Sequence, residues 1–250
     1  MTQVAGSVED SDAPERRLAV AGVYNLRDVG GYPTRSGGRV RWRTLFRSDA
    51  LHRLDRDGMA TVAGLGLRTI LDLRTQLEAD VAPTVLMGTQ ARTMHISILT
   101  GELQDVPVEL DAVYRHFVAQ CGGAIGRAVR ELCDPGAYPA LVHCSAGKDR
   151  TGIVIALVLA VLGVPDELIA ADYGLSAGYL DSEHTPAIGQ LRASTGLGDH
   201  LTSALLTSPP QLMLDTLALV RAAGGSVEGY LAGHGVTESD LARLRAQLAE

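Results

Sequence analysis

The chain has 250 residues, 46% of them hydrophobic, with 22 basic against 29 acidic side chains and a formal net charge of −7. That length is enough to bury a full core, and the acidic balance excludes a broad basic field for nucleic acid or an anionic membrane. Three unevenly spaced Cys exclude a disulfide framework.

Residues 1–14 are small, polar and acidic (Glu9, Asp10, Asp12) and hold no apolar run, so they read as a disordered tail without a recognisable signal peptide. Residues 15–50 are rich in Arg and Gly. Gly30-Gly31 and Gly37-Gly38 mark turns, and 39–43 alternates as an edge strand would. Asp57 is placed to cap a helix running to Ala63. Residues 69–73 and 93–98 read as buried strands, followed by a loop over 100–109 that contains Asp105 and Pro107. Helical spacing of apolar groups covers 110–120 and 125–132. Residues 140–142 form a short apolar strand, and 153–164 a buried helix too short to span a membrane. Pro165-Asp166 opens a helix towards Leu180. Residues 181–208 are irregular and form either a surface connection or a lid. Helices follow from Pro209-Pro210 to Ala222, over 226–231 and over 237–248, the last with Thr237 as N-cap. Strands alternating with helices predict one α/β domain over 15–250. Its central, mainly parallel sheet carries helices on both faces, and its C-terminal part is helical.

The stretch that carries chemistry is His143-Cys144-Ser145-Ala146-Gly147-Lys148-Asp149-Arg150-Thr151-Gly152. It lies between the apolar strand and the buried helix, at the carboxyl end of the strand, where α/β sheets bind ligands. The amides of Ser145, Ala146, Gly147, Lys148, Asp149 and Arg150 can form a nest for an anion at the positive end of the helix dipole. A free Cys is only about 3% thiolate at pH 7. A helix N-terminus and Arg150 favour the ionised form of Cys144. Arg150 can hold two oxygens of a phosphate through its planar fork. Together they suit attack on a phosphate monoester, a cysteinyl-phosphate intermediate and its hydrolysis by water. Thr151 is placed to donate to the sulfur, His143 to orient the loop, and Gly147 and Gly152 to permit the turn. Lys148 is the sole Lys in the chain, a compact cation where Arg is otherwise the rule. A nucleotide-binding P-loop is excluded, because Gly147-Lys148 is followed by Asp149 and Val142 stands at the first Gly position.

This loop resembles the signature of the cysteine-dependent protein tyrosine phosphatase superfamily. Its Gly-Lys-Asp-Arg-Thr-Gly form resembles the bacterial phosphatases of the mycobacterial phosphatase B and Listeria lipid phosphatase type. The runs 25–32, 45–49 and 71–74 are similar too, and the likeness spans roughly 18–249. The resemblance implies hydrolysis of phosphorylated proteins, phosphotyrosine foremost, with phosphoinositides as the alternative substrate and inorganic phosphate as product. Gly147-Lys148 is shared with lipid phosphatases, and a second cation could meet a second phosphate. The acidic balance and the short apolar run point to no nucleic-acid partner and no stable membrane anchor, and a catalytic thiolate suits a cytoplasmic, reducing compartment, while the resemblance leaves open export without a recognisable signal.

The leaving oxygen needs a proton. The Trp-Pro-Asp device of many tyrosine phosphatases is absent, since Trp42 is followed by Arg43. Asp149 and Asp72 are the two candidate acids, and Asp105 is a third. No His, Cys and carboxylate spacing suggests a metal site, and no cofactor is expected. Cys121 and Cys133 read as buried packing groups, and Arg27, Asp28, Arg47 and Asp49 as buried ion pairs. A binding module without turnover and a rhodanese-type sulfur transferase are weaker readings of the same loop.

Overall fold

Five short strands make the sheet: β1 (Arg27–Asp28), β2 (Leu45–Ser48), β3 (Thr69–Asp72), β4 (Arg92–His95) and β5 (Ala140–His143). They stand in the order β1-β2-β5-β3-β4 in a computed structural model that describes residues 15–84, 86–99, 107, 109–180 and 207–250. β1 pairs antiparallel with β2, and the other neighbours pair in parallel. The expected tail over 1–14 and Asp105 lie outside the described residues, as does the expected lid except for Thr207 and Ser208.

The central strand β5 is buried at every position because both faces of the sheet are covered. Leu45, Leu71 and Val142 face the larger core, while Phe46, Ile70 and Leu141 face the smaller one. This is the period-2 alternation of a strand with apolar residues on both sides. The smaller core is closed by Leu51 and by Val62 of α1 (Arg56–Gly64). The larger is closed by α3 (Leu110–Gln120), α4 (Gly122–Glu131), α5 (Asp149–Val161) and α6 (Asp166–Tyr179). A short α2 (Gln76–Val81) follows β3. The C-terminal part is helical, with α7 (Pro210–Gly224), α8 (Val227–Gly233) and α9 (Glu238–Leu248). From Thr151 to Leu159 every residue of α5 is buried, so this helix is apolar all round and passes through the core.

Several local expectations are corrected: the strand expected to be buried over 93–98 is Arg92–His95, with Arg92 and Thr93 exposed because β4 lies at a sheet edge. Residues 39–43 are not an edge strand: Arg39 and Arg41 give their amides to Glu250 and Leu248 carbonyls, and 42–44 is a turn with Arg43 at φ 57. The edge strands are β1 and β4. The cap of α1 is Asp55, not Asp57, because the Asp55 side chain accepts from the Gly58 amide. Helix α5 begins at Asp149, not 153, since the polar Asp149-Arg150-Thr151 forms its first turn. Among the described residues no helix is long and apolar enough to cross a membrane.

Candidate active site

β5 ends in the middle of the sheet, and its chain runs straight into a tight loop that α5 completes. Cys144, at the bottom of this loop, is 2% exposed. Gly147 has φ +65, and a Cβ there would sit 2.2 Å from the Ser48 carbonyl oxygen. The turn therefore requires Gly, both for its left-handed backbone and for the close approach of β2. His143 is fully buried, with Nδ1 3.3 Å from the Cys144 carbonyl oxygen and Nε2 3.8 Å from Asp72 Oδ2. Burial pushes its imidazole down to about 4, so the ring is neutral at pH 7. The Thr151 hydroxyl is buried without a hydrogen-bond partner and does not reach the Cys144 sulfur as expected. Lys148 does not reach out to solvent: its ammonium is buried, donates to the Thr207 carbonyl at 2.8 Å and lies 3.5 Å from Asp149 Oδ1.

Arg150 is set by a residue that sequence reasoning missed. Glu78 accepts from Arg150 Nη1 at 2.6 Å and Nη2 at 2.9 Å, and from the Ser145 hydroxyl at 2.5 Å. The same carboxylate closes a capping box with Thr75 at the start of α2. Thr75-x-x-Glu78 is a readable capping motif, but nothing local says that the cap also clamps an arginine from another loop. Partial burial would raise the Glu78 carboxyl, yet the bonds from Arg150 and Ser145 outweigh it and hold it well below the usual range. An end-on clamp uses both terminal nitrogens and leaves the Nε side of the guanidinium for a second anion. Glu78→Gln is expected to lower kcat/KM by about 10–100-fold, the worth of a charge-assisted hydrogen bond. Steady-state kinetics check this. Because the native carboxyl is depressed, its stabilising contribution is present above pH 4.5 and fades as pH falls towards the native value.

The two acid candidates are placed differently. Asp149 opens α5, is partly exposed, and accepts from the Tyr114 hydroxyl at 3.1 Å. Burial raises the Tyr114 phenol well above its ordinary range, so it stays a donor. Asp72 is buried, and Arg74 Nε and Nη2 bond to it at 2.9 and 2.6 Å. Burial alone would raise its carboxyl, but Arg74 more than offsets this and lowers it. Asp72 is thus committed to an ion pair.

The four buried residues read as ion pairs divide into two kinds. Arg27 and Arg47 both pair with Asp172 of α6, a partner not legible in the sequence, at 3.1 and 2.5 Å. Asp28 accepts the amides of Gly30 and Arg43 and lies 3.9 Å from the Arg43 guanidinium, while Asp49 accepts the amides of Tyr24 and Asn25. Burial raises the Asp49 carboxyl to about 6. Cys121 and Cys133 are buried packing groups. Among the described residues no three His, Cys, Asp or Glu side chains are grouped to hold a metal ion. A cavity of 350 Å³ opens beside the loop, lined by Ala50, Arg53, Leu77, Glu78, Val81 and Ser145.

Comparison with known proteins places this arrangement. A tyrosine-protein phosphatase of Nostoc commune is 28% identical over 78% of this chain and 70% of its own. The triple specificity protein phosphatase PtpB of Mycobacterium tuberculosis is 28% identical over 91% of this chain and 97% of its own. A Cupriavidus necator protein named provisionally as a tyrosine-protein phosphatase is 29% identical, over 91% and 86% respectively. The model of the tyrosine phosphatase family matches residues 18–250, and the chain belongs to that family.

Proposed function

We propose that the protein is one phosphatase domain over 15–250 that hydrolyses phosphotyrosine in proteins through Cys144. The supporting observation is a buried thiol at the floor of a Gly-dependent turn, beside an arginine fixed end-on by Glu78. The Cys144 thiolate attacks phosphorus, and an S–P bond forms as the bond to the tyrosine oxygen breaks. The amides of the loop and Arg150 neutralise the transferring oxygens. Asp149 gives its proton to the leaving phenolate oxygen. Water then attacks phosphorus, Asp149 takes up its proton, and inorganic phosphate leaves as the thiolate is restored. Arg150 and the helix N-terminus supply the positive charge that this chemistry needs. Lys148, which would add to the phosphoinositide alternative by meeting a second phosphate, turns its ammonium to the Thr207 carbonyl; this favours protein substrates.

The test is phosphate release, in chelator, from phosphotyrosine, phosphoserine and phosphothreonine peptides and from phosphoinositides. Phosphotyrosine peptides are expected to turn over fastest, at a rate that chelator leaves unchanged. Faster turnover of the inositol lipids would overturn the substrate assignment, and loss of all activity in chelator would overturn the mechanism.

A further inference from the structure

Three successive carbonyl groups of the loop are held from one side. The Ser145 carbonyl accepts from the Ala50 amide at 3.1 Å, and that of Ala146 from Asn25 Nδ2 at 2.9 Å. Arg47 Nη2 donates to the Gly147 carbonyl at 2.7 Å. All these donors come from the β1–β2 edge of the sheet. In a trans peptide the carbonyl and the following N–H point in opposite directions. The N–H groups of Ala146, Gly147 and Lys148 are therefore turned away from that edge, into the concavity of the loop.

We infer that Asn25 and Arg47 are positioning residues for the anion cradle, fixing the direction of its amides before any ligand arrives. The inference rests on the reading of this loop as the phosphate site and names what pre-aims it. A second layer holds the two in place. Asn25 Oδ1 accepts from Arg27, and Arg27 and Arg47 both bond to Asp172. Tyr32 adds its hydroxyl to Asp172 at 3.0 Å. Asn25, Arg27 and Arg47 are 0% exposed and Asp172 is 1% exposed. Arg27 and Arg47 share the single carboxylate of Asp172. Only a planar fork can bond Asp172 with one nitrogen and the Gly147 carbonyl with another, so Lys cannot replace Arg47.

The experiment uses Asn25→Asp, nearly isosteric but presenting an acceptor to the Ala146 carbonyl, and Arg47→Lys. The affinity of inorganic phosphate is measured by calorimetry and as a competitive Ki, together with kcat, KM and the unfolding temperature. Phosphate Ki is expected to rise at least about tenfold and kcat/KM to fall by about 10²-fold, the scale of one lost oxyanion donor. A merely structural role would reduce the active fraction and so lower kcat, with phosphate Ki and KM unchanged. That result in folded variants overturns the inference. If Arg47→Lys does not fold, Asn25→Asp and the milder Asn25→Ser decide alone by the same criterion. Wild-type protein that binds phosphate but turns over no ester removes the phosphatase reading, and the variants' phosphate affinity still decides this one.

Discussion

Cys144→Ser is expected to bind inorganic phosphate and to turn over no phosphate ester. The exchange replaces one buried atom by a slightly smaller one, so the loop keeps its geometry. Chemistry fails because a hydroxyl is a poor nucleophile without a base to take its proton, and Asp149 must be protonated in this step to serve the leaving group. His143 is adjacent in sequence and neutral, but its Nδ1 lies against the Cys144 carbonyl and its Nε2 faces Asp72. Loss of a nucleophile is worth about 10⁴-fold or more in kcat, or ~5.5 kcal/mol of barrier. Phosphate release over hours, set beside phosphate binding by calorimetry, reads both halves of the expectation. Turnover above about one per cent of wild type would remove Cys144 from the role of nucleophile.

Asp149→Asn is expected to slow phosphotyrosine peptides by about 10²–10³-fold, the usual worth of a general acid. An activated aryl ester such as p-nitrophenyl phosphate should slow far less, because its leaving group departs without a proton. Asn keeps the acceptor that Tyr114 donates to, so the comparison isolates the proton. An equal fall for both substrates would mean that Asp149 only shapes the loop. Asp72→Asn provides the contrast: it leaves Arg74 buried without its charge partner, so stability drops by about 3–5 kcal/mol and leaving-group preference stays as in wild type. Thermal unfolding and the rate ratio of the two substrates separate the variants.

Elements with a local cause were legible before the structure. Helix α3 spans the residues its apolar spacing marks, and the side chain of Thr237 caps α9 through the Asp240 amide. The loop after β5 was readable because its chemistry is compressed into ten consecutive residues. What the sequence concealed is set by partners far along the chain. Glu78 reaches Arg150 across 72 positions, and Asp172 reaches Arg47 across 125. No period or motif encodes such meetings, since they arise when α2 and α6 are packed beside the carboxyl ends of the strands. The alternation at 39–43 misled for the same reason. The Arg39 and Arg41 amides answer to residues 248–250 and that of Val40 to Tyr32, so a strand-like pattern ends in isolated bridges and a turn.

The stitching of the loop also bears on how the protein acquires its competence during folding. The Ala146 carbonyl is closed by a side chain 121 positions upstream, and that of Gly147 by one 100 positions upstream. Neither bond can form until nearly half of the chain has been drawn into a closed loop, whose entropy must be lost before the contact returns anything. The cradle is thus a late product of the whole topology. The ten residues of the loop are consecutive, but the bonds to its carbonyls wait for Asn25 and Arg47 to be packed beside it, and for Asp172 of α6, which pairs with Arg27 and Arg47.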